Sequence, residues 1–191
     1  MSRLKLQTVE TAANEAKTRL EAAEKNNGFL PNLVRLLANA PVALETYQTV
    51  SEINGRTSLT LAEREAVQIT AAAVHGCGFC VAGHSAIADK KAKLGPAILD
   101  GLRNRTRIDD ERLDAVARFT EAVIATRGGV ADADLAAFKS VGFDDQAALE
   151  VVLGVSLATL CNFANNLGQP DLNPELAKYI WNGSITPAAV K

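Results

Sequence analysis

Aromatic residues make up only 5% of this 191-residue chain, and it has six prolines, three cysteines and a single tryptophan. So few aromatics and prolines, set among alanine-rich periodic segments, argue against a β-rich fold and point to an all-α one. Three cysteines are too few for a disulfide scaffold, and one of them, Cys161, stands alone in the apolar run VSLATLC, where it reads as a buried free thiol. The 20 basic and 22 acidic residues are interspersed, net −2, so no basic stripe exists to track a phosphate backbone and nucleic acid is not an expected partner. No glycine loop that would cradle a phosphate, no serine elbow and no EF-hand spacing occur, so no cofactor is expected. The opening MSRLKLQTVETAANEAKTRL lacks the apolar core of a signal peptide, and no apolar run is read as long enough to span a bilayer, which leads to the expectation of a cytoplasmic protein without a membrane partner.

What is present is concentrated in one place. Glu65, Cys77, Cys80 and His84 form the pattern Glu-x11-Cys-x2-Cys-x3-His. Thr60 followed by Glu63 is a capping-box start, which places Glu65 in the first turns of a helix continued by the apolar AVQITAAAV. The run His75-Gly76-Cys77-Gly78 should end that helix and leave Cys77 near the start of a second, running through VAGHSAIADKKAKL to Gly95-Pro96. Cysteines at i and i+3, with a histidine four residues on, share one face of such a helix. A thiol at a helix start meets free N–H groups and the positive end of the dipole, which can lower a cysteine pKa from about 8.5 to roughly 3.5–7.5. By that argument alone Cys77 is the more activated sulfur. Glu65, on a buried helix with apolar neighbours, is in a setting that makes a carboxylate a useful base, acting directly or through a water. Taken singly, each residue fits a structural role; the four together point to thiol redox chemistry. A zinc site of Cys77, Cys80, His84 and His75 is the competing reading, but such sites bring a second ligand pair from elsewhere, and Cys161 has no companion. No metal is therefore expected.

The remaining chain reads as helices over residues 5–25, 31–38 and 41–53, a turn at Asn54-Gly55, and a short helix after Gly95-Pro96. Asp109 or Asp110 caps a helix ending at Gly128-Gly129; another runs from Asp132 to Ser140, and Asp144 or Asp145 caps a long apolar helix through Asn165. With 48% hydrophobic residues a single domain over 1–191 is the simpler expectation. Shifting the sequence by 85 positions sets Thr60, Glu65 and Val67 on Asp145, Glu150 and Val152, and Cys77, Cys80 and His84 on Asn162, Asn165 and Gln169. Either two degenerate helical repeats or two similar buried helices account for this. Residues 31–104 then carry the motif, and 109–172 form a degenerate half that serves as scaffold and pocket wall. Asn162 and Asn165 read as pocket lining or, more simply, as helix-end hydrogen bonders.

At the quartet the chain resembles the alkylhydroperoxidase D (AhpD) branch of the carboxymuconolactone decarboxylase family, whose members carry this glutamate, cysteine pair and histidine at this spacing. The segment Pro31 to Tyr47 resembles the helix that precedes the motif, and Ala131 to Leu172 resembles the peroxidase-related members. The resemblance implies an all-α AhpD-like fold and a thiol peroxidase. Cys80 would attack the peroxide, Cys77 would resolve it as a disulfide, and Glu65 with His84 would relay protons. It also implies an external, lipoyl-type dithiol as reductant and a homo-oligomer. Phe79 stands where well-known members have a histidine, which leaves the relay to His84 or a water. Decarboxylase members generally lack the cysteine pair, which argues against lactone decarboxylation. A disulfide oxidoreductase acting on a protein or lipoyl partner, and a decarboxylase-like protein with inert cysteines, are the alternatives.

Overall fold

A buried helix needs its backbone ends satisfied and its side chains small enough for close neighbours, and residues 61–74 meet both demands. In the computed structural model, which describes residues 2–183, they form α4 (Leu61–Val74). Thr60 accepts from the Glu63 N–H while the Glu63 carboxylate accepts from the Thr60 N–H, the reciprocal box expected from the sequence. Ten of the fourteen residues of α4 are buried. Around it lie α1 (Asn14–Asn27), α2 (Asn32–Leu37), α3 (Pro41–Asn54), α5 (Gly78–Ile87), α6 (Pro96–Asn104), α7 (Glu111–Thr126), α8 (Asp132–Ser140) and α9 (Asp145–Gly168). A 3-10 turn, Pro174–Tyr179, follows. Among the described residues there is no strand, so the fold is all-α.

One core lies between α4, α7, α8 and the start of α9, where Phe119, Phe138 and Phe143 stack with centroids 4.4 Å apart. Arg112 of α7 clamps this side to α4 through the buried Glu63 at 2.9 Å. The other core, from α1, α2, α3, α4, α5 and α9, includes all three cysteines. The 3-10 turn covers the outer side of α5 with Leu176 and Tyr179.

Helix α9 passes between these cores because Gly154 lets it approach α4. A Cβ there would lie 2.9 Å from Val67 Cγ1, and the Gly154 carbonyl accepts from Gln68 Nε2 at 2.9 Å. Gly154→Val is therefore expected to destabilise the protein by about 1–3 kcal/mol through overpacking. A urea denaturation midpoint unchanged from wild type would contradict this.

Three elements differ from the sequence reading. The first helix begins at Asn14 rather than at residue 5. Residues 2–7 instead form a strap: Arg3 N–H donates to the Gly168 carbonyl at 2.7 Å, Gln7 N–H to Arg35 at 3.1 Å, and Asn39 Nδ2 to the Lys5 carbonyl at 2.7 Å. The Thr8 and Thr11 hydroxyls bond neighbouring backbone, competing with helix in the manner of short hydroxyl side chains. The second motif helix does not run α-helically to Gly95; it loosens into a π turn over Ala88–Ala92 and stops at Lys93, whose φ is 60°. Finally, α9 is by length and composition apolar enough to cross a membrane, contrary to the reading that no such run exists. It is a helix packed against α2, α3, α4, α5 and α7, and its buried side chains include Asn162 and Asn165. Unlike the α4–α5 pair it is unbroken, so nothing in it matches the Gly76 break.

Candidate active site

The local chain geometry places the motif. His75 caps α4, Gly76 takes φ +66°, and Cys77 becomes the N-cap of α5. Its Sγ accepts from the Cys80 N–H at 3.4 Å, doing for this helix what a serine or aspartate usually does. Cys80 lies in the first turn and His84 one turn further, facing α4. There His84 Nδ1 donates to Glu65 Oε2 at 2.8 Å. The four predicted residues therefore meet. Glu65 reaches His84 directly, and no imidazole at position 79 is needed for that link; Phe79 packs between the apolar clusters on either side of α5.

Both motif thiols are free and buried, Cys77 1% and Cys80 4% exposed. Their acidities separate. The hydrogen bond from Cys77 brings the Cys80 thiol down to about 7 against the opposing effect of burial, helped by the charge on His84 and the amides of Asn165 and Asn162. Cys77, as the donor in that pair and itself buried, is pushed up. The helix-start argument had favoured Cys77; the tertiary surroundings favour Cys80 as the thiolate. Burial draws His84 down, but the Glu65 carboxylate outweighs it and holds the imidazole above its ordinary value. An imidazole drawn toward its charged form by a carboxylate thus faces the acidic thiol. Cys161, the third thiol, is raised by burial.

Helix α9 contributes what the sequence did not place. Asn165 Nδ2 donates to Cys80 Sγ at 3.2 Å, and Asn162 Oδ1 accepts from His75 Nδ1 at 3.0 Å. These amides do more than satisfy a helix end, and the 109–172 half supplies part of the site as well as scaffold. His75 also lies against Phe163, centroids 5.0 Å apart, and burial lowers its pKa. It does not join Cys77, Cys80 and His84; among the described residues no three histidine, cysteine, aspartate or glutamate side chains converge to hold a metal ion. Tyr47 was also missed as a site residue. It lines a cavity of about 300 Å³ with Phe29, Leu33, Val34, Cys80 and His84, and burial raises its pKa, so the phenol stays protonated. Tyr47 is one of only two tyrosines and ends the Pro31–Tyr47 segment, the one hint the sequence offered. A larger surface cleft of about 460 Å³ beside α7 and α8 contains neither cysteine nor histidine.

Residues 41–126 match the carboxymuconolactone decarboxylase family. The fold is similar to crystal structures of an AhpD-core, peroxidase-related protein of Ralstonia eutropha JMP134 (24% identity, 92% of this chain and 94% of that one, TM-score 0.81) and of a peroxidase-related protein of Silicibacter sp. TM1040 (18% identity, 92% and 93%, TM-score 0.79). The debrominase Bmp8 shares it too, at 15% identity over 93% of this chain and 94% of that one, with a TM-score of 0.74. Comparison with curated proteins gives no match. The central helices thus match the carboxymuconolactone decarboxylase family, and the architecture shared along nearly the whole chain is the all-α AhpD-like fold.

Proposed function

We propose that the protein is a thiol peroxidase that reduces hydroperoxides through Cys80 and Cys77. The observation that carries this is Cys80, its thiol made more acidic, on the wall of a largely apolar cavity and beside the imidazole that the Glu65 carboxylate draws toward its charged form. The Cys80 thiolate attacks the terminal oxygen of ROOH and the O–O bond breaks. His84, held by Glu65, gives a proton to the departing alkoxide, so ROH leaves and Cys80 becomes a sulfenic acid. Cys77 attacks that sulfur, its proton leaves with the hydroxyl as water, and a disulfide closes. An external dithiol supplies two electrons to reopen it. Free thiols able to cycle in this way suit a reducing compartment such as the cytoplasm.

The test is a thiol titration of denatured protein before and after one equivalent of cumene hydroperoxide. Two of the three thiols are expected to vanish while Cys161 persists. Three surviving thiols would rule out the peroxidase and leave an inert-cysteine protein. Turnover on a model disulfide at rates above those on hydroperoxides would instead favour a disulfide oxidoreductase.

The cavity lining also sets a preference. With Phe29, Leu33, Val34 and Leu176 on its walls, it should favour an organic hydroperoxide over hydrogen peroxide in kcat/KM, by about tenfold if two or so buried methylenes contribute. Equal values would show that the cavity is not the substrate's route. We include a homo-oligomer in the proposal; sedimentation of the native chain checks it.

A further inference from the structure

Two hollows adjoin the cysteine pair, and each is lined by a different cysteine. The apolar cavity described above is lined by Cys80 and not Cys77. A second cleft, of about 320 Å³, is lined by Cys77 and not Cys80, with Gly76, Asn165, Asn166, Gln169 and Pro170 completing most of its wall. Phe79 lines both and is the partition between them.

We propose that the Cys77 cleft is the binding site for the reductant, a slender uncharged dithiol, and that hydroperoxide and reductant use separate mouths. This rests on the peroxidase reading for the identity of the oxidant. Three observations carry it. First, the cleft wall carries carboxamides, glycines and a proline but no charged side chain, so it can hydrogen-bond a neutral polar chain and offers no partner for a carboxylate. Second, Asn165, on that wall and 2% exposed, has its Oδ1 buried without a hydrogen-bond partner among the described residues, an unpaired acceptor beside the cleft that a small turn of the amide would present to an incoming S–H. Third, thiol–disulfide exchange goes faster when the departing sulfur is the more acidic one. Cys80, with His84 and the Asn165 amide around it, is the better leaving sulfur, so attack belongs on Cys77, the cysteine that lines this cleft.

A reductant thiolate bonds to Cys77 Sγ as the Cys77–Cys80 bond breaks, and Cys80 departs as thiolate. The reductant's second thiolate then attacks the reductant sulfur of the mixed disulfide. Cys77 is released, takes a proton, and the reductant leaves as its own disulfide.

Two variants separate the mouths. Gly83 lines the apolar cavity, and a Cβ there meets nothing within 4 Å, so Gly83→Leu fills that side. Gln169 is exposed on the rim of the other cleft, and Gln169→Trp narrows it. The disulfide is formed with diamide, so its reduction by dithiothreitol can be followed whatever the protein does with peroxide. Gln169→Trp is expected to slow that reduction about tenfold and leave oxidation by cumene hydroperoxide within about twofold of wild type, and Gly83→Leu to do the reverse. If both variants slow the same half-reaction, or Gln169→Trp leaves reduction unchanged, the two-mouth assignment is overturned. A readout independent of these substitutions is the adduct formed when 2-mercaptoethanol meets the oxidised wild-type protein. Mass spectrometry should find it on Cys77, and an adduct on Cys80 would overturn the proposal. Failure of the peroxidase reading would register separately, as wild-type thiols untouched by hydroperoxide while diamide still closes the disulfide.

Discussion

Cys80→Ser is expected to lower hydroperoxide turnover by roughly 10⁴-fold or more, the scale seen when a catalytic nucleophile is removed. Cys77→Ser should behave differently: one equivalent of hydroperoxide is consumed, then turnover stops with a sulfenic acid on Cys80. The asymmetry comes from the surroundings of the two sulfurs. Cys80 receives the Asn165 N–H at 3.2 Å and faces the imidazole held by Glu65, while Cys77 is a buried donor with a raised pKa. Trapping the sulfenic acid with dimedone and mapping it by mass spectrometry checks the assignment. Label on Cys77 in an active Cys80→Ser protein would reverse the roles. The same chemistry fixes a pH dependence. Deprotonation creates the nucleophile, so the oxidation rate in wild type should rise with pH, pass half-maximum near the Cys80 value of about 7, and level off above it. A profile with its midpoint near 9, the ordinary thiol value, would mean that the surroundings do not activate Cys80.

Glu65→Gln is the second large effect. Against the pull of burial the carboxylate favours the charged form of His84, and that charge in turn favours the Cys80 thiolate. A neutral amide keeps the shape and the hydrogen bond but not the charge. At pH 7 the variant should lose both thiolate and the proton donor for the leaving alkoxide, together about 10²–10⁴-fold in the oxidation step. Raising the pH to 9 should restore the thiolate share and leave the proton-donor deficit. Full recovery at high pH would confine Glu65 to tuning Cys80, and an unchanged rate at pH 7 would remove it from the relay altogether.

Asn165→Ala offers a smaller test of the contribution from α9. Losing the N–H donated to Cys80 should move the midpoint of the pH–rate profile upward, since that hydrogen bond favours the charged sulfur. If the midpoint stays and only stability falls, the amide is structural.

The parts of this arrangement visible in the sequence are local ones. The Thr60–Glu63 box, the break at Gly76, the Cys77 helix start and the one-turn spacing from Cys80 to His84 all depend on residues within a few positions of each other, and helix geometry converts such spacing directly into position. Local rules also missed where other partners existed. The strap over residues 2–7 takes its hydrogen bonds from Arg35, Asn39 and Gly168, so a stretch with helical composition stayed extended.

By itself, then, the amino-acid order determined an all-helical chain and which four side chains converge, because helical periodicity and capping are short-range. The acidity of Cys80 has a local part, the Cys77 hydrogen bond and the His84 charge within about a turn of it, and a part decided only by the tertiary structure. That structure packs α9 against α4 and α5, brings Asn165 to Cys80 from 85 positions away, and sets Tyr47 and Phe79 around the pair. A thiol's acidity depends on the charges, donors and solvent within a few ångströms of it, and the α9 amides among those neighbours come from a segment that sequence spacing does not relate.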